Sequence, residues 1–536
     1  MQTSQRRTFF LLLAVALACF LAFIPFNRTG AADPNMLAVF EIDEYAQYPH
    51  LLRMLTPGDT FYQSLRNFVV YLHYFYGYVF YFFSAVLILP LKLALGPEWA
   101  DQTRLLVTVL RQGINVLPML AANLLLVWMQ TRFRSWWRAL GLFLLLLAAP
   151  AVVVNNLWWH PDSLVQIFIV LTLFFLDRDA FQYKRDFLLA AVACGLAIGT
   201  KHLGLFFVLC VPVYLGWGVL RRAITWRRAV GLGALFVVVM CATVVISNPL
   251  LLLPQERAAI LATQSKQIVE TSTGMFTAGS APFFAGGYPA DLRVHYGEAA
   301  FVLLALAGLG LGIANPQRRR LNVLILAWMI PLTVVIITFA TRRTHYWLPV
   351  LLPAFSGLVN FFPETGEELP FKLSIKLRRV LQGLAAALIL VQFALFLRQD
   401  AQILSTHLRR EEQAPAVQFF NRLESEWLSQ LPQKELVVFR DWKVYYPARA
   451  ARSVEMSWSM PTLQIIAESN PDLIVLEQAN LNLFSDPAII ERAIDPGDMQ
   501  AIQQFYAAAQ GDALPGYQLV LSDSFAAAYL RDSLAP

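Results

Sequence analysis

The sequence predicts an α-helical polytopic membrane protein of about eleven transmembrane helices, with a small C-terminal α/β domain outside the membrane. Three observations carry this. Of 536 residues, 57% are hydrophobic and only 15% charged, against about 25% charged in soluble domains. Apolar runs approaching the roughly 20 residues that a helix needs to cross a hydrocarbon core recur from Phe9 to Leu397. From Arg398 to Pro536 the composition is that of ordinary soluble sequence, so the chain divides into a membrane body at 1–397 and a domain at 398–536.

The spans are expected near 8–26, 103–130, 138–156, 162–177, 186–200, 203–220, 229–252, 299–314, 321–340, 345–361 and 379–397. Arg6-Arg7 and the run behind them could read as a signal peptide. The run continues through Cys19 to Phe26 with no small-residue cleavage site at its end, which favours an uncleaved first span. A further apolar segment, 69–93, is set by the positive-inside rule. The basic connections before the first span and at 131–138, 177–186, 221–228, 315–320 and 362–379 hold nineteen Lys and Arg. They share the N-terminal, cytoplasmic side only if 69–93 does not cross. That segment is therefore expected in the interface, where Tyr71, His73, Tyr74, Tyr76, Tyr78 and Tyr81 suit the headgroup level.

Two long loops then face outward, 27–102 and 253–298. The second contains Gly279-Ser280-Ala281-Pro282 and Gly286-Gly287, as a flap over a site would. With an odd number of crossings the C-terminal domain is also outside. Its expected strands are Leu436–Phe439, Leu473–Leu476 and Gln518–Leu521, with helices near 411–430, 461–468 and 497–509.

Composition excludes several classes. The net charge of +6 comes from the connections between spans and is a topology signal, so no nucleic-acid partner is expected. The four cysteines lie in apolar runs and indicate neither disulfides nor a thiolate metal site. Asp177-Arg178-Asp179 looks like a metal-binding acid pair but falls on the cytoplasmic side among basic residues, and is read as a solvated loop. No metal and no cofactor is indicated.

The outward ionisable residues are the candidates for chemistry. Glu41-Ile42-Asp43-Glu44 opens a segment whose Tyr45, Tyr48, Leu52 and Leu55 share one helical face. Asp43 is either the N-cap of that helix or a base facing outward. Trp158-Trp159-His160-Pro161-Asp162 closes the third span and opens the fourth. Asp162 is a cap or a functional acid, since ionisable groups at membrane depth are expensive. Lys201-His202 sits at the next outward turn, where the lysine either snorkels or binds an anion. Arg342 and Arg343, followed by His345 and Tyr346, break the positive-inside pattern, and a bound phosphate would account for two arginines there.

Taken together, these features resemble the GT-C superfamily of integral-membrane glycosyltransferases, particularly the protein O-mannosyltransferases and the lipid A aminoarabinose transferases. The resemblance covers roughly 1–400 and rests on Asp43-Glu44, the interfacial segment 69–93, Asp162, Thr200-Lys201 and Tyr346-Trp347-Leu348-Pro349. One departure stands out: many relatives carry Lys-Pro or His-Pro in the interfacial segment, and this chain has His73-Tyr74. The resemblance implies an inverting transfer of sugar from a polyprenyl-phosphate donor to a lipid, glycan or protein acceptor at the extracytoplasmic face. Asp43 would be the base with Glu44 as its alternate, and Lys201 with Arg342 or Arg343 would hold the carrier phosphate. His73, Asp162, His202 and Tyr346 complete the expected substrate contacts. A bacterial inner membrane is the expected location. The rival reading is a transporter or flippase for a lipid-linked or anionic substrate, which would place charges deep in mid-span; Arg111 is the clearest such residue.

Overall fold

The computed structural model describes residues 3–201, 205, 209–273, 288–338, 343–363, 374–431, 435–448, 451–456, 460–493 and 495–534. Each of the eleven expected spans contains helix. Among the described residues, six helices are long and apolar enough to cross a membrane by length and composition, or seven if the bent pair Pro289–Tyr296 and Ala299–Ala314 counts as one. The remaining segments are shorter or more polar helices such as Trp136–Leu147 and Cys210–Leu220. The 138–156 span is broken ahead of Pro150 into Trp136–Leu147 and Pro150–Asn155, as the missing proline N–H requires. These helices enclose one continuous apolar core.

Five helices lie at the N-terminal end: α1 (Thr3–Asn27), α2 (Pro34–Phe40), α3 (Ile42–Leu55), α4 (Phe61–Val69) and α5 (Tyr78–Leu95). Helix α5, extended to Asp101, is one of the six long enough to cross, although the sequence set it in the interface. Its two ends are tied to the C-terminal ends of two other helices, Arg185–Thr200 and α3. Before its start, the Gly77 N–H donates to the Thr200 carbonyl at 3.0 Å. Near its end, the Lys92 ammonium donates to the Leu55 carbonyl at the end of α3. Gly77 is required for this approach, because a Cβ there would lie 1.8 Å from the Gly199 carbonyl oxygen.

Asp177 and Asp179 are not solvated, contrary to expectation. Both are buried. Asp177 pairs with Arg132 at 2.6 Å and Arg320 at 3.1 Å, so three basic connections are pinned together. Asp179 accepts from the Tyr214 hydroxyl at 2.6 Å and from the Tyr183 and Lys184 N–H groups at 3.0 Å each. Burying two carboxylates is tolerable only with partners of this kind, and these bonds close the turn.

The last long helix runs unbroken from Ile375 to Gln413 and leads through Pro415–Glu426 into a five-stranded sheet. Its strands are β1 (Leu436–Arg440), β2 (Ala451–Met456), β3 (Leu473–Glu477), β4 (Tyr517–Ser522) and β5 (Ala526–Arg531). The order is β2-β1-β3-β5-β4. β1 is parallel to β2 and β3, and the β4–β5 hairpin adds antiparallel to β3. One face of the sheet buries Met36 of α2 among its own residues, so the connection after α1 contributes to the core of the C-terminal domain.

Candidate active site

The site starts where the chain turns between α2 and α3. Glu41 occupies the N-cap position of α3 without a side-chain cap bond, so Asp43 is not the cap. It lies in the first helical turn, where the helix dipole favours a carboxylate. The structure treats the neighbouring acids differently. Glu44 is fully buried. Its Oε1 accepts from Arg111 Nε at 2.7 Å and from the Trp159 N–H at 2.5 Å, and its Oε2 accepts from Arg111 Nη2. Arg111 Nη1 donates to the Asn27 and Thr29 carbonyls at 2.9 and 2.7 Å. Glu44, expected beside Asp43 as an alternate base, is thereby engaged at both oxygens. Arg111, the mid-span charge, is its partner. Burial pushes the Glu41 carboxyl up to about 7, against the opposing pull of Arg410.

Asp43 remains 43% exposed at its side chain, with Oδ2 3.8 Å from His160 Nε2. His160 is fixed from several sides. Its ring stacks on Trp158 at 4.0 Å, its N–H donates to Asn115 Oδ1 at 3.1 Å, and its Nε2 is 2.7 Å from the Tyr76 hydroxyl. Its Nδ1 abuts Asp162 Oδ2. Burial holds the imidazole below its ordinary value although Asp162 acts the other way.

Asp162 opens its helix without capping it, since Pro161 holds the N-cap position. Its Oδ1 accepts from Lys201 Nζ at 2.6 Å, with both residues buried. The lysine therefore does not snorkel to water. Its ammonium faces the Tyr346 and Tyr76 rings at 5.0 and 5.9 Å, an arrangement in which cation–π attraction adds to the ion pair. His345 Nε2 completes the group 3.8 Å from Asp162 Oδ2.

Asp43, Asp162, Lys201 and Tyr346 are thus gathered around His160. His73 stands one layer out: its Nδ1 lies 2.6 Å from the Tyr81 hydroxyl, and its ring is 6.0 Å from Tyr76. Arg343 is exposed two positions before His345. His202, Arg342 and the glycine-rich part of the second loop lie outside the described residues. The sequence did not single out Tyr76, His160 or His345 as site residues. His160 and His345 had local signals, two residues before Asp162 and one before Tyr346; Tyr76 stood out only as one of the interfacial tyrosines.

His160, Asp162 and His345 offer two ring nitrogens and one carboxylate oxygen within 4.8 Å of one another. His160 Nδ1 and Asp162 Oδ2 are paired with each other, so a cation bound here would have to part them. Imidazole with carboxylate suits zinc or manganese, so these residues could hold a divalent cation. Lys201 supplies positive charge at the same carboxylate.

No family model and no curated protein matches the chain. Solved structures do. ArnT from Cupriavidus metallidurans bound to undecaprenyl phosphate aligns over 98% of both chains, with TM-score 0.52 and 14% identity. The archaeal oligosaccharyltransferase AglB from Archaeoglobus fulgidus, in complex with an inhibitory peptide and a dolichol-phosphate, aligns over 92% of this chain and 72% of its own, with TM-score 0.51 and 12% identity. The chain has the GT-C fold. With that fold and its long apolar helices it is an integral membrane protein, and the GT-C layout expected from 1–400 extends through the C-terminal domain.

Proposed function

We propose that this GT-C protein transfers a sugar from a polyprenyl-phosphate carrier to an acceptor hydroxyl at the extracytoplasmic face, with Asp43 as the base. One observation carries the reading. Among Glu41, Asp43 and Glu44, the middle acid alone keeps a half-exposed carboxylate, and it faces a buried cluster that contains Lys201 and two histidines. The carriers bound to the two structural neighbours, undecaprenyl phosphate and a dolichol-phosphate, agree with a donor of that class.

The chemistry needs few groups. The acceptor O–H gives its proton to Asp43 as the oxygen attacks the anomeric carbon. The bond from that carbon to the phosphate oxygen breaks, and the carrier leaves as a phosphate anion with the bonding pair. Cations fixed in a dehydrated site stabilise that anion most as the bond breaks. Lys201 and Arg343 fill this role, and a cation at His160, Asp162 and His345 would act in the same sense. A single displacement inverts the anomeric centre.

The membrane placement that fits is eleven crossings with α5 in the outer interface, because its two ends meet Thr200 and Leu55. The N-terminus is then cytoplasmic and the 398–536 domain periplasmic, in a bacterial inner membrane.

The test is reconstitution in lipid without an ion gradient. A panel of undecaprenyl-phosphate hexoses and pentoses is supplied, and release of undecaprenyl phosphate is followed by mass spectrometry. Release that requires Asp43 is the expected result. Transbilayer movement of intact donor with no cleavage across the panel would replace this reading with a flippase.

A further inference from the structure

The first outward loop reaches Asp43 through a stretch held largely by the C-terminal third of the chain. Arg410, on the last long helix, is only 10% exposed at its side chain, and its Nη2 donates to the Thr29 carbonyl at 2.6 Å. Its Nη1 lies 3.6 Å from Glu41 Oε1, and its guanidinium faces the Phe40 ring at 4.8 Å. The next residue, Glu411, accepts from the Gly30 and Ala31 N–H groups at 2.6 and 3.4 Å and pairs with Arg104 at 3.1 Å. Gly30 has φ +71°, and a Cβ there would lie 2.5 Å from Arg410 Nη2, so the loop's own sequence makes room for the arginine.

Further along, the Tyr445 hydroxyl donates to Asp33 Oδ2 at 2.8 Å and Asn35 Nδ2 donates to the Tyr446 carbonyl at 3.0 Å. Met36 is part of the C-terminal core. The held stretch ends at Glu41. On the far side of Asp43, Glu44 is locked by Arg111. The carboxylate of Asp43 therefore projects from a turn fixed on both flanks by arginines of different helices. An exposed ion pair would contribute little here. A buried one cannot lose a partner without leaving an uncompensated charge.

We infer that Arg410 is a positioning residue for Asp43, and that the C-terminal region shapes the reacting geometry through the stretch 29–41 that it grips. The inference rests on the reading of Asp43 as the base. A base must lie within hydrogen-bond reach of the proton it takes, and a misplacement of about 1 Å costs on the order of a hundredfold in rate.

The experiment compares Arg410→Gln, Arg410→Lys, Tyr445→Phe and Asp43→Asn in the full-length protein. Turnover on the donor panel, affinity for undecaprenyl phosphate and amide hydrogen exchange over 38–45 are measured for each. In Arg410→Gln, turnover should fall about ten- to a hundredfold while exchange over 38–45 rises and undecaprenyl phosphate affinity stays. Arg410→Lys should recover most of both losses. Tyr445→Phe removes only the hydroxyl that donates to Asp33 and should give the same pattern at about two- to tenfold. It decides the question if Arg410→Gln does not fold. Parallel loss of affinity and turnover would make Arg410 a general structural residue and overturn the inference. So would unchanged turnover and exchange in Tyr445→Phe together with Arg410→Gln. Failure of the base reading looks different, as undiminished turnover in Asp43→Asn.

Discussion

Arg111 and Glu44 form an ion pair in which both side chains are completely buried. It joins the start of α3 to the helix Thr103–Thr131, and the Asn27 and Thr29 carbonyls take the two Nη1 donors. Breaking such a pair by removing one partner costs about 3–5 kcal/mol, whereas replacing both with apolar groups is often nearly neutral. Arg111→Met should therefore lower the melting temperature in detergent sharply. Arg111→Met with Glu44→Leu should recover most of the loss. A single mutant as stable as the wild type would mean that the pair does not hold α3.

Asp43→Asn isolates the proposed base. Asp43 makes no cap bond, so the substitution removes a dipole contribution of about 0.3–1 kcal/mol and leaves the fold intact. Turnover should fall by about 10²–10⁴, the usual contribution of general base catalysis, with undecaprenyl phosphate binding retained. Glu44→Gln should instead reduce stability, because it disturbs the Arg111 pair. Normal turnover in Asp43→Asn with a well-folded but inactive Glu44→Gln would reverse the assignment.

Of the proposed phosphate ligands, Lys201 has the most fixed position, held by Asp162 and facing Tyr346. A charge-assisted contact is worth about 1.5–3 kcal/mol. Lys201→Ala should therefore weaken undecaprenyl phosphate binding by roughly ten- to a hundredfold on that scale, read by titration in nanodiscs. Asp162→Asn should leave the lysine's charge but loosen its position, giving a smaller loss. Equal affinities in the wild type and Lys201→Ala would remove the lysine from the phosphate site.

His73 gives a pH dependence of defined sign. Burial, with His50 beside it, lowers its value to about 3, against about 6.5 in an unfolded chain. The unfolded state then binds the proton more tightly, so stability is full above about pH 6.5 and declines as pH falls towards 3. Amide protection of residues 69–77 should drop with acid over that window. In His73→Gln the decline should be shallower, with His50 contributing what remains. A steeper decline in His73→Gln would contradict the assignment.

The helical body was legible because hydropathy along the chain reports directly on burial in lipid. The outer sheet was legible only in part. β1, β3 and β4 carry Val and Leu runs, but β5 reads Ala-Ala-Ala-Tyr-Leu-Arg, low in β propensity and without alternation. It is a strand because β3 and β4 pair with it on both sides, which is tertiary information. At the site, Asp162 and Lys201 stood out as ionisable residues at the ends of apolar runs, and Asp43 as one of the acids opening an amphipathic segment. The partners of these residues did not, because Tyr76, His160 and His345 come from separate elements with no shared spacing. Arg111 was visible as an anomaly in mid-span, but nothing in the sequence tied it to Glu44 rather than to Asp43.

The helix Ile375–Gln413 passes residue 398 without a break, so composition changes there while the backbone does not. At about 1.5 Å and 100° per residue, its 39 residues form a shaft of roughly 58 Å whose rotation sets the azimuth of the outer sheet. One alanine inserted between Gln399 and Ser405 would swing that sheet by about 100° and tear Tyr445 from Asp33. The outer domain is thus a keyed cap and not a tethered one. In the proposed transfer, an acceptor approaches along the directions that this cap leaves open, because Arg410, Glu411 and Tyr445 hold it to the first loop.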